Sequence, residues 1–328
     1  MMYFLYCVLL ILLFLGALLA DITLVMMLDW QANAFWVLAL PIVLLGIAGF
    51  KKKYFAGVLA VFVASVAAFF YLITPEEQFK ADKWELSCSR MPEIIINGND
   101  AEIRNLRDFK YAPDSDKIVE PNYINQKYDL SKLESMDLYL SHWDGMDNIA
   151  HMLLCFNFSD NKTAVLSVEM RCPDGTSREY HTTFFKQHAL IYIWGTKEDL
   201  IDLRIHHRVV ESLYCYRTTL TPAESRQLFC SLAKRTNQLS KKWEFYQTIT
   251  GNCTTEVLPF FKEVRSNLKW DIRTLTNGTF DRLLFEQNFL EHRDGEEFES
   301  LRARSFITGG RASGKVPAAR KKAEQPAL

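Results

Sequence analysis

The stretch GNCTTEVLPFF, residues 251–261, sets a cysteine between an amide and two hydroxyls at the head of an apolar, periodic segment. A thiol nucleophile needs a stabilised thiolate, a base within reach and donors for an oxyanion. The amino end of a helix supplies the first and part of the third, through free N–H groups and the positive end of the dipole. Cys253 follows the Gly251–Asn252 break, and the sequence predicts it at the start of a helix. Half of a disulfide and a small buried side chain are the other readings of this cysteine.

The base must be one of seven histidines. His206 and His207 lie in a charged stretch and are expected to face solvent. His181 and His188 flank TTFFKQ with no partner in sight. His142 and His151 fall on predicted strands, and His151 has a neighbour. Pairing back from the turn SDNK (159–162) sets residue 151 opposite 169 or 170. Opposed residues share a sheet face, with Cβ atoms about 5 Å apart. Glu169 lies in the apolar strand AVLSVEMR, where an unpaired carboxylate is costly. Beside an imidazole it would orient the ring and hold its tautomer. Cys155 shares that face, and a structural His–Glu pair within the sheet is the plainer alternative.

Other chemistries find less support. There is no HExxH, no CxxC and no histidine pair at ligand spacing on a helix, so no metal or other cofactor is implied. No spacing supports a paired-carboxylate hydrolase. GGRASGK (309–315) ends in Val316 where a phosphate-binding loop needs Ser or Thr, and no strand precedes it. The four N-x-[ST] sequons, one of them Asn252-Cys253-Thr254, read as chance matches. A net charge of −1 gives no argument for nucleic acid. Seven cysteines do not make a disulfide scaffold, and an odd count leaves one thiol over in an oxidising compartment.

The elements that must position these groups begin at an apolar segment. Residues 2–20, 35–50 and 54–74 are three apolar runs, against about 20 residues needed to span a bilayer. Pro41 predicts a kink in the second. Lys51, Lys52 and Lys53 mark the second turn as cytoplasmic, so the third helix leads outward. A cleaved signal peptide is the alternative for the first run, which lacks a basic leading region. Beyond residue 75, EIIINGNDAEIRNLRDFKY (93–111) predicts a hairpin turning at Asn97–Gly98. Strands are expected at 135–143, 150–158, 163–171, 189–195 and 212–220. Thr221, Pro222 and Glu224 form a capping box that opens an amphipathic helix over 221–239. Residues 253–264 also look helical, with Pro259 either kinking the helix or marking where its regular part begins. The tail from Arg302 is basic, rich in Gly and Ala, and expected to be disordered. Strands followed by helices predict an α+β domain.

Several runs together resemble a known family. IRNLRDFKY (103–111), YDLSKLESMDLYLSHW (128–143), AHMLLCFNF (150–158), VLSVEMR (165–171), FFKQHALIY (184–192) and YQTITGNCTT (246–255) are similar to the periplasmic domain of Lnb-type bacterial lipoprotein N-acyltransferases. The resemblance implies a circularly permuted papain-like domain with an antiparallel sheet, in which the histidine precedes the cysteine. It implies Cys253 as nucleophile, His151 as base and Glu169 as orienting acid, with Tyr246 and Asn252 near the oxyanion. DGMDNIAH lacks the family's Gly-Pro step, and Gly251–Asn252 replaces its Asn-Asn.

The expected organisation is then three transmembrane helices (1–74), a periplasmic thiol acyltransferase domain (75–301) and a disordered basic tail (302–328). The expected reaction moves an acyl chain from phospholipid, through a cysteine thioester, to the α-amino group of a lipoprotein's diacylglyceryl-cysteine. The expected site of action is the outer face of the bacterial inner membrane. A papain-like cell-wall amidase or peptidase, and a non-catalytic membrane-anchored binding protein with a disulfide-bonded Cys253, are the rival readings.

Overall fold

A computed structural model describes residues 83–308, apart from 114, 144–145, 177–187, 209–210, 249–250, 267 and 270. The three apolar runs, residues 177–187 with His181, and the GGRASGK segment lie outside the described residues. Chain contacts separate a unit Met1–Gln78 from a unit Phe79–Leu328, and all described residues belong to the second. Among them, no helix is long and apolar enough to cross a membrane.

The fold is α+β, built on one large and mostly antiparallel sheet. Strands β1 (Glu93–Asn97) and β2 (Asp100–Arg107) form the hairpin expected from the sequence, with Gly98 at φ +63° in the turn. A positive φ is where glycine avoids the Cβ penalty. Short strands β3 (Lys110–Tyr111) and β4 (Ile118–Glu120) pair separately. Then come β5 (Tyr123–Asp129), β6 (Leu133–Trp143), β7 (Met146–Phe158), β8 (Thr163–Arg171), β9 (Ala189–Gly195), β10 (Ser212–Arg217) and β11 (Phe306–Thr308). The nine-stranded sheet runs β1-β2-β9-β8-β7-β6-β10-β11, with β5 also paired to β2. Its one parallel contact joins β2 to β9 at Arg107–Gly195.

The period of two along each strand divides the core. Leu154, Phe156, Leu166, Tyr192 and Trp194 point to one face and pack against the helix Pro222–Lys241. That helix opens with the predicted capping box, each partner satisfying the other's backbone N–H. Phe229 meets Phe156 and Trp194 at ring-centroid distances of 5.2 and 5.0 Å, and Trp194 Nε1 donates to Thr236 Oγ1 at 2.9 Å. Leu153, Cys155, Val165, Ile191 and Ile193 point the other way, against Leu200 and Ile201. The bidentate pair Arg107–Asp199 lies nearby. Asp199 accepts from Arg107 at 2.8 and 2.9 Å, from Tyr111 at 2.6 Å and from the Phe109 N–H at 3.0 Å. A buried carboxylate with four donors is fully satisfied.

Two boundaries differ from expectation. The helix after Cys253 begins at Leu258, with Pro259 in its first turn, so Cys253 sits in the turns that precede it. Regular structure continues past Arg302, through the helix Phe298–Ser305 and into β11, which adds to β10 at the sheet edge. Ser305 is buried here and the Phe306 ring meets Tyr214 at a centroid distance of 5.4 Å, which disordered chain would not do.

Candidate active site

His151 and Glu169 meet as the turn geometry predicts. The β7–β8 ladder runs from Asn157–Thr163 to Leu153–Ser167. Two residues further on, His151 Nε2 lies 3.1 Å from Glu169 Oε1. Ser167 stands between them: its hydroxyl donates to Glu169 Oε1 at 2.7 Å and lies 2.7 Å from His151 Nε2. Both contacts fall on the same ring nitrogen. The same oxygen, Glu169 Oε1, also lies 3.9 Å from Nη2 of Arg204, whose Nε lies 3.6 Å from Glu211 Oε2. Glu211 in turn takes a hydrogen bond from Ser141, the residue paired with His151 on β6. Arg204 comes from a π-helical turn, Leu203–His207, an arrangement that often accompanies functional positions.

The electrostatics follow from this packing. Burial alone drives the His151 imidazole downward. The Glu169 charge, then hydrogen bonds to Cys253 and Glu169, reverse that and raise its pKa from 6.5 to about 9. Burial likewise opposes ionisation of Glu169, but the His151 charge and hydrogen bond, Arg204 and Ser167 hold its carboxyl well below the usual range. The side chains are 14% and 31% exposed, so the pair is only partly screened by water. An imidazole held charged beside a carboxylate and hydrogen-bonded to a thiol is the arrangement that activates a sulfur nucleophile.

Cys253 is buried at 2% exposure and is a free thiol, as are Cys88, Cys155, Cys172, Cys215 and Cys230. The disulfide-bonded reading of Cys253 therefore lacks its partner among the described residues. Three anchors fix the loop that carries it. Gly251 and Gln247 exchange backbone hydrogen bonds at 2.9 and 3.4 Å. Glu256 reaches Tyr192 on β9 at 3.0 Å and Arg235 on the long helix at 3.1 Å. Asn252 caps the turn.

That last role corrects an expectation. Asn252 was predicted near the oxyanion, but its side chain is committed to the backbone and is 1% exposed. Its Oδ1 accepts from the Thr254 and Thr255 N–H groups at 2.9 and 2.8 Å, and its Nδ2 donates to the Thr248 carbonyl at 2.7 Å. A short polar side chain that captures two successive N–H groups is an N-cap in function. It also explains why chain turns begin at Cys253 while the regular helix waits until Leu258. Tyr246, the other predicted group, is half-buried, and its N–H donates to the His188 carbonyl at 2.9 Å. Burial, then the nearby Cys253 and Glu169, push its phenol well above the usual range, so it stays protonated beside the thiol.

The sequence reading missed Asn277. Its Nδ2 lies 3.4 Å from Cys253 Sγ, 24 residues away in sequence. The only local signal was the turn dipeptide Asn277–Gly278. Ser167 was also missed, although its place two residues before Glu169 on the same strand put it on the same face; Arg204 and Glu211 lie in a separate segment and carried no such signal. The remaining histidines lie elsewhere. His142 packs edge-on against Tyr214 at a centroid distance of 5.4 Å, and His188 is buried. His206 is exposed as expected, whereas His207 is half-buried with Nδ1 2.9 Å from the Ala112 carbonyl.

Comparison with known proteins bears on this constellation. No curated protein and no solved structure matches the chain. Residues 120–278 match the family model described as the Lnb N-terminal periplasmic domain. The matched segment is just under half of the chain and contains His151, Glu169, Tyr246, Cys253 and Asn277. It supports a Lnb-type family, and with it a lipoprotein-processing periplasmic protein.

Proposed function

We propose that the chain is a membrane-anchored periplasmic N-acyltransferase working through a Cys253 thioester, on a circularly permuted papain-like domain. The observation that carries this reading is the meeting of Cys253 with an imidazole whose Nε2 is already engaged by Ser167 and Glu169. The opposite ring nitrogen is then the one available to the thiol. The match to the Lnb N-terminal periplasmic domain supports the substrate class.

The reaction runs in two halves. In the first, the Cys253 thiolate attacks the carbonyl carbon of a phospholipid ester, a C–S bond forms, and the carbonyl electron pair moves to oxygen. As the tetrahedral intermediate collapses, the C–O bond to glycerol breaks. His151 gives its proton to the leaving oxygen, producing lysophospholipid and the acyl-Cys253 thioester. In the second, the α-amino group of a diacylated lipoprotein attacks the thioester carbon. His151 takes the amine proton, the C–N bond forms, the C–S bond breaks, and the thiolate returns. Glu169 orients the imidazole throughout and favours its charged form before the first half and after the second; between them the ring is neutral and able to accept the amine proton. Both substrates are lipid-anchored, which gives a reason for three apolar runs ahead of the domain.

The test uses cells lacking their own lipoprotein N-acyltransferase and expressing the full chain. Mass spectrometry of a lipoprotein should show amide-linked acyl groups at its amino terminus. With Cys253→Ala or His151→Ala only free amino termini should remain. Acylation by Cys253→Ala equal to that of the parent would contradict the proposal.

A further inference from the structure

We propose that Asn277 is a catalytic residue that donates the side-chain hydrogen bond to the oxyanion, the role the sequence had assigned to Asn252. The inference rests on the acyl-transfer reading of the same site and adds a residue to it.

Three observations carry it. The first is the approach of Nδ2 to within 3.4 Å of Cys253 Sγ. When a carbonyl carbon bonds to that sulfur, its oxygen can turn to within hydrogen-bond reach of a donor so placed, as an oxyanion donor requires. The second is how the amide is held. Thr254 Oγ1 bonds to Asn277 Oδ1 and lies 2.5 Å from the Thr274 carbonyl. The same Oγ1 lies 2.8 Å from Asn252 Oδ1, so its single proton serves three acceptors, and the Asn277 amide stands with Oδ1 at Thr254 and Nδ2 at the sulfur. The adjoining Gly278 N–H donates to the Asn148 carbonyl at 3.2 Å, tying the turn to the strand that bears His151. The third is the backbone. Asn277 sits at φ +60°, ψ −38°, a conformation costly for a residue with a Cβ and cheaper for glycine. Strain of this kind persists where the side chain is needed.

Asn252 and Asn277 thus divide two tasks. Asn252 spends its amide on the turn that presents Cys253, and Asn277 reaches the sulfur from a separate segment. In the attack step, Asn277 Nδ2–H donates to the oxygen as it gains the carbonyl electron pair, and keeps its own proton throughout.

The experiment separates oxyanion stabilisation from thiolate formation in the full-length protein. Iodoacetamide alkylation of Cys253 forms no oxyanion and reads the thiolate. Acylation by p-nitrophenyl octanoate, followed as nitrophenolate release and as an octanoyl adduct by mass spectrometry, passes through the tetrahedral intermediate. Asn277→Ala should slow acylation about 10²–10³-fold while alkylation changes less than about fivefold. Asn277→Gly relieves the backbone and should melt no lower than the parent, with the same loss of acylation; it carries the test if the alanine variant unfolds. Acylation within about threefold of the parent in either folded variant would overturn the assignment. So would equal slowing of both reactions, which is the signature of a residue that positions the thiolate. The activated ester makes this independent of the natural donor. A parent protein that acylates with the ester but not from phosphatidylethanolamine vesicles would refute the proposed donor and leave Asn277's role standing.

Discussion

Glu169→Gln isolates the charge that holds His151 protonated. The amide keeps the shape of the carboxylate and removes its attraction for the imidazolium, while the burial that opposes the charge remains. The gap between 6.5 and about 9 for His151, at about 1.4 kcal/mol per pH unit, is worth about 3 kcal/mol. Because the folded value is raised, this stabilisation is present in full below pH 6.5, declines between pH 6.5 and 9, and is absent above. Unfolding free energies of the parent and the variant, measured by denaturant titration at half-unit steps from pH 6.5 to 9.5, give the difference directly. Titrations of other groups cancel in it. The variant should be less stable at pH 6.5, and the difference should shrink by about 2–3 kcal/mol by pH 9.5. A stability difference constant to within about 0.5 kcal/mol across the range would refute the ion pair as the source of His151's charge.

Other perturbations follow from the same contacts. Ser167→Ala removes the hydroxyl shared by His151 Nε2 and Glu169; loss of a hydrogen bond to a charged group, about 1.5–3 kcal/mol, should slow acyl transfer at least about tenfold in a thioester-formation assay. Asp199→Ala leaves the Arg107 guanidinium buried and unpaired, so denaturant unfolding should show a loss of about 3–5 kcal/mol, and a loss under about 1 kcal/mol would count against the network. Thr221→Ala deletes one half of the capping box and should cost about 1 kcal/mol in the same measurement.

The parts that could be read in the sequence are those governed by local rules. Short apolar runs beside turn signals located β8 and β9 to the residue, and the capping box located the start of the long helix. The His151–Glu169 contact was legible because a tight turn fixes register, and register fixes which side chains face each other. What could not be read depends on distant chain. The insertion of β10 between β6 and β11, and the parallel contact of β2 with β9, are pairings between segments with no common turn. Asn277 reaches Cys253 because Thr274, Thr254 and Asn148 hold its turn, none of which is its neighbour in sequence apart from Thr274. The partners of the Asn252 amide could not be read for a simple reason. An asparagine before a cysteine can cap the turn or face the oxyanion, and only coordinates show which partners its amide has taken. Residues 302–308 were misread for a related reason: β11 forms by adding to the edge of β10, a partner that composition does not reveal.

The most direct test of the account is capture of the acyl-enzyme. Full-length protein incubated with phosphatidylethanolamine vesicles, without acceptor, should gain the mass of one acyl chain. The adduct should map to the peptide containing Cys253 and be released by neutral hydroxylamine, as a thioester is. Cys253→Ala and His151→Ala should gain none. An adduct on another residue, or none on a folded parent protein whose Cys253 alkylates readily, would contradict the claim that this sulfur carries the acyl group.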